Sequence, residues 1–168
     1  MHLNEIIEKL VLWDNQLREK AVESIEVVKP CNRCYQCCIN KLVFLSIPEI
    51  LRILEMDEAE KIEITKKGVL IKHDAGGKCA FLERGLCSIY DERPFQCLTY
   101  PVIFSPTVRQ TYVFLGVKGG KMYFNCISET MVCRIEEDAF EEILRERLNF
   151  LRINYEVLPI FLHRYFSL

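Results

Sequence analysis

Four cysteines fall within eight residues of this chain, Cys31-Asn-Arg-Cys34-Tyr-Gln-Cys37-Cys38, and no other stretch constrains the fold so strongly. Thiolates are soft anionic ligands, and spacings of two residues or none let one tight turn aim several sulfurs at a common point. Cys31, Cys34 and Cys37 repeat the C-x-x-C-x-x-C run that holds three irons of a cubane cluster. Cys37 and Cys38 are adjacent, their α-carbons ~3.8 Å apart and their side chains diverging in either regular backbone. The spacing predicts that one of the pair faces a second centre. Buried thiols acting as small hydrophobes are the plainer alternative, and four in this pattern argue against it.

Nine cysteines in 168 residues require either disulfides or metal. The first ten residues, Met1 to Leu10, carry acids where a secretory signal has a basic start and an apolar run. No apolar segment reaches the ~18 residues of a membrane span, and an odd cysteine count suits a disulfide framework poorly. The expectation is a cytoplasmic, metal-binding chain with no membrane partner. Net charge is −2 with the two signs interspersed, which argues against a nucleic-acid partner. The length fits one domain over residues 1–168, able to bury ~70% of its unfolded surface.

Apolar residues from Leu3 to Val28 recur at helical spacing, and Pro30 stops that helix before Cys31. Ser46-Ile-Pro-Glu49 is a capping box that opens a helix through Leu54. Asp57-Glu-Ala-Glu60 repeats the box and predicts a short second helix. Val69–Ile71 reads as a strand, and 111–117 with 121–125 as a hairpin about Gly119-Gly120. A helix is expected over about 136–152. The tail 158–166 is expected to form a further helix folded back on the core. The predicted fold class is α+β: a small, mostly helical single domain with a β-hairpin and an irregular cysteine-rich metal-binding centre.

A second cysteine group follows the first: Cys79-Ala-Phe-Leu, then Cys87-Ser-Ile-Tyr-Asp-Glu-Arg-Pro-Phe-Gln-Cys97-Leu-Thr-Tyr-Pro101. Together with the first run this resembles the YkgJ-like cysteine-cluster family, the CxxCxxCC zinc- or iron-chelating domains, over a motif core of 31–101. Two features depart from the family pattern: Tyr35 stands where glycine is common, and Leu98 where arginine is common. The resemblance implies thiolate chelation of an iron–sulfur cluster, [4Fe-4S] in type, or of zinc. The ligand set it implies is Cys31, Cys34, Cys37, Cys38, Cys79, Cys87 and Cys97, with Cys126 as the eighth and Cys133 the spare. The cysteine pattern is also similar to that of flagellin lysine-N-methylases, so an S-adenosylmethionine-dependent protein methylase is an alternative. A zinc-stabilised module with a protein partner is a third.

His73 is a candidate imidazole ligand, while His2 and His163 sit in helical surroundings. Arg93 and Tyr90 lie between two ligand cysteines and either hydrogen-bond toward the centre or pair and pack locally. No cysteine–histidine arrangement and no glycine-rich phosphate loop stands out, which leans against catalysis and leaves the methylase alternative open.

Overall fold

Apolar residues at three- and four-residue spacing build the first helix, α1 (Leu3–Ser24), which buries Ile7, Leu10, Leu17 and Ala21 along one stripe. The computed structural model describes residues 2–168. Within it, α1 does not run on to Val28. The β-branched run after Ser24 leaves the helix as a strand, β1 (Ile25–Lys29), because a distant partner pairs with it. The capping box at Ser46 and Glu49 opens α2 (Ile47–Glu55) as the sequence predicts. Asp57 then turns to a φ of 57°, and a single 3₁₀ turn at Ala59–Lys61 stands where a second helix is expected. The chain leaves that turn directly into β2 (Ile62–Thr65), which pairs antiparallel with β3 (Gly68–Ile71).

A two-residue ladder, β4 (Leu82–Glu83) with β5 (Leu86–Cys87), precedes a short helix, α3 (Phe95–Thr99). The predicted hairpin forms as β6 (Phe114–Lys118) and β7 (Lys121–Asn125). Gly119 and Gly120, with φ of 60° and 74°, make its two-residue turn. A further strand, β8 (Val132–Glu136), pairs with β7 on one side and β1 on the other, giving the antiparallel order β1-β8-β7-β6. The last helix, α4 (Glu137–Phe166), extends well beyond the expected end near 152. The tail is therefore not a separate folded-back helix. Pro159 is carried inside α4, and Leu158 and Phe161 still reach the core. The α+β class is as expected, and the described residues contain no helix long and apolar enough to cross a membrane.

The helices are joined by a buried ionic chain that no periodicity signals. Asp14 of α1, fully buried, accepts from Arg52 at 2.7 Å and pairs with Arg147 of α4 at 3.4 Å. Arg147 also pairs with Glu49 at 3.4 Å, and its guanidinium stacks over the Phe95 and Phe150 rings. Glu49 Oε1 accepts from the Ser46 hydroxyl at 2.7 Å, while Oε2 accepts from the Phe95 N–H at 3.3 Å. Buried charges survive only when paired and hydrogen-bonded. This set meets that condition, and its last link reaches the first residue of α3, two positions before Cys97.

Candidate metal centre

The loop 31–38 departs from regular backbone at the positions where a C-x-x-C turn needs to bend. Arg33 and Tyr35 sit in the left-handed region, with φ of 59° and 51°, and Gln36–Cys38 closes as a 3₁₀ turn. The Arg33 N–H donates to the Cys31 sulfur at 3.2 Å, and the Cys34 N–H to Asn32 Oδ1 at 3.1 Å. Past the turn, the Cys79 N–H donates to the Cys38 carbonyl at 2.9 Å, and Ile39 bridges to Lys78. These two links bring the second cysteine group alongside the first. Asn40 lies against Gly77 so closely that a Cβ there would meet its Oδ1 at 1.9 Å.

The nine cysteines are all free thiols, and their hydrogen bonds and mutual charge interactions sort them into two groups. One comprises Cys37, Cys38, Cys79, Cys87 and Cys97, all half-buried. A hydrogen bond from Cys38, partly offset by burial and helped by Lys41 and Arg93, holds the Cys37 thiol down at about 6. The same bond, with burial and the charges of Cys37, Cys79 and Cys87, pushes Cys38 up. A 3₁₀ turn, not a regular helix or strand, carries the two adjacent thiols. Burial raises the Cys79 and Cys87 thiols. Backbone N–H groups of Phe81 and Leu82 oppose that shift at Cys79, and the N–H of Ile89 opposes it at Cys87. Cys97, set in α3 behind Pro94, is pushed up to about 11 by burial, with Lys41 pulling the other way.

The other group gathers Cys31, Cys34, Cys126 and Cys133. The Cys34 thiol donates to Ser128 Oγ at 3.1 Å, and Cys126 lies 3.2 Å from the same oxygen. Burial and the charges of Cys126 and Cys31 push Cys133 up to about 11. Cys133, the expected spare, lies four residues before α4. It stands inside β8, opposite Phe124 of β7 and Val27 of β1. Tyr100 lies between the groups, raised to about 12 by burial and by the charges of Cys37 and Cys126. Its hydroxyl accepts from the Ile127 N–H at 2.9 Å, and Lys41 Nζ lies 4.2 Å from its ring centre.

Among the described residues, no three histidine, cysteine, aspartate or glutamate side chains already meet closely enough to grip one ion. The donors fit a soft metal by chemistry: clustered free thiols, backbone N–H groups aimed at sulfur, and two cations beside them. His73 bridges opposite Cys79, its Nδ1 3.2 Å from the Ile71 carbonyl and its Nε2 buried without a partner. Arg93 packs over the Tyr90 ring and donates to the Tyr90 carbonyl at 2.7 Å, so the pair interact locally. Its charge nonetheless helps to lower Cys37 and offsets part of the rise at Cys87. Sequence reasoning missed Lys41, Asn32, Ser128 and Thr130. Lys41 stands three residues beyond Cys38, near enough to have been found, whereas the other three have no cue outside the fold.

The family model CxxCxxCC, "Putative zinc- or iron-chelating domain", matches residues 30–117, more than half of the chain. No solved structure matches it.

Proposed function

This chain belongs to the CxxCxxCC family of zinc- or iron-chelating domains, and from that premise we propose that it carries a [4Fe-4S] cluster in the pocket of Cys37, Cys38, Cys79, Cys87 and Cys97. One observation supports the reading above others. Single thiols from separate elements, a 3₁₀ turn, the β4–β5 ladder and α3, lie within range of one another's charge and of two cations. Isolated cysteines arriving from different loops suit the corners of a cubane, whereas zinc sites more often pair two C-x-x-C knuckles. Cys79, Cys87 and Cys97 take three corners, and the adjacent Cys37 and Cys38 compete for the fourth. Lys41 and Arg93 offset the negative charge of the thiolates. The role is electron transfer or structural, in a reducing cytoplasm that keeps such thiols free.

The test is purification without oxygen from iron-replete cells. The expected product is brown protein with iron matched by acid-labile sulfide. Cys97→Ser loses both, while Cys37→Ser and Cys38→Ser each keep a share that the double variant lacks. Colourless protein carrying stoichiometric zinc under the same conditions refutes the iron–sulfur assignment.

A further inference from the structure

We infer that Cys31, Cys34, Cys126 and Cys133 form a second site, a structural tetrathiolate zinc centre separate from the five-cysteine pocket. Cys126 and Cys133 lie beyond the 30–117 span that the family pattern covers. The sheet is what brings them to the first knuckle. In β7 and β8, Phe124 faces Cys133 and Asn125 faces Val132, and the Cys126 N–H then donates to the Met131 carbonyl at 3.0 Å. Strand alternation therefore puts Cys126 and Cys133 on one face as diagonal neighbours. On the other side of β8, Val27 faces Cys133 and Lys29 faces Val132. The chain thus leaves β1 two residues before Cys31, beside the start of β8.

The loops that meet there are already tied. The Thr130 hydroxyl donates to Asn32 Oδ1 at 3.1 Å, between Cys31 and Cys34 in sequence. The Ser128 hydroxyl touches both the Cys34 and the Cys126 sulfur, so these two thiols stand one hydroxyl apart. Two backbone N–H groups, from Arg33 and Met131, donate to the Cys31 and Cys126 sulfurs, each at 3.2 Å. Such bonds strengthen when the sulfur is a thiolate and fix its direction, as partners of metal ligands do.

The ligand arithmetic suits zinc. A C-x-x-C knuckle meets a second cysteine pair, the donors number four, and structural zinc sites are closed Cys₄ tetrahedra. Cys126 and Cys133 are buried, Cys34 is half-buried and only Cys31 is exposed, so the site is closed on three of its four corners. Zinc would require all four sulfurs at ~2.3 Å from the ion, so binding would turn the cysteine side chains inward and move the Ser128 hydroxyl from between Cys34 and Cys126.

The test counts iron and zinc per chain in the full-length protein, made without oxygen and with both metals supplied, after a brief chelator challenge. Wild type is expected to hold one zinc besides the pocket's metal. Cys87→Ser keeps that zinc and loses the pocket's metal; Cys31→Ser and Cys133→Ser lose the zinc, and Cys31→Ser keeps the pocket's metal. Because Cys31 is exposed, its variant reads out the site even if the buried Cys133→Ser misfolds. Wild type with no such zinc, or zinc unchanged in Cys31→Ser, overturns the inference. Joint loss of both metals in Cys31→Ser and in Cys87→Ser also overturns it, by merging the thiols into one centre. If the pocket itself holds zinc, the wild-type count becomes two and Cys31→Ser lowers it to one, so the two assignments fail independently.

Discussion

Replacing Glu49 by glutamine keeps the shape of the side chain and removes its charge from the middle of the buried ionic chain. The carboxylate, 3% exposed, now accepts from the Ser46 N–H and hydroxyl, from the Phe95 N–H and from Arg147. A glutamine amide has one oxygen, so its NH₂ must face a donor, either Phe95 N–H or the Arg147 guanidinium. Breaking a buried pair by neutralising one partner costs ~3–5 kcal/mol. Arg147 keeps Asp14 at 3.4 Å, which places the loss near ~3 kcal/mol, at the low end of that range. For a chain of this length each kcal/mol moves the melting temperature by ~2–4 °C, so Glu49→Gln should melt ~6–12 °C lower. The assay is a thermal melt of metal-loaded protein, with the exposed Glu55→Gln as control. A shift within ~2 °C of the control would mean that the network contributes little and that apolar packing alone joins the helices.

Two other outcomes follow from the same geometry. Structural zinc contributes ~10–16 kcal/mol in small peptides, against ~5–15 kcal/mol for the net stability of a domain; stripping all metal should therefore abolish the near-ultraviolet circular dichroism, and a stripped protein with an unchanged spectrum and melt contradicts this. Gly77→Ala forces a side chain onto a φ of 82° and against Asn40 Oδ1, a strain of ~1–3 kcal/mol that should lower the melting temperature and the metal content, with Gly116→Ala, open around its Cβ but also at positive φ, as the comparison for strain alone.

The helices were legible because their signals are local. The capping box at Ser46 and Glu49, and the stripe Ile7, Leu10, Leu17 and Ala21, lie within a few turns of themselves. The hairpin at Gly119-Gly120 was legible for the same reason. β1 and β8 were not. Ile25 to Val28 fits helical spacing as well as strand alternation, and only pairing with residues more than a hundred positions away decides between them. β2 was lost in the same way, since Ile62-Glu-Ile-Thr65 is too short to announce itself without β3 beside it. The continuity of α4 through Pro159 reverses a local rule because Leu158 and Phe161 are buried on either side of the proline.

For the candidate centre, the thiols were legible and their surroundings were not. Spacing alone joined Cys31, Cys34 and Cys37 into one run, since each is three residues from the next. The fold interrupts that run at Tyr35, whose left-handed backbone sends the chain into a 3₁₀ turn. Cys34 then meets Ser128, while Cys37 feels Cys38 and the charges of Lys41 and Arg93. The interruption matters because Tyr35 stands where the family commonly has glycine, the residue for which positive φ is least costly. The departure therefore does not abolish the turn; it makes a tyrosine adopt it, with its ring lying against Gly85 between β4 and β5. That contact links the turn that separates the two thiol groups to the ladder that carries Cys87. The setting of Cys133 was not legible for a complementary reason. Its part depends on β1 and β7 standing on either side of it, and no window of sequence contains all three strands.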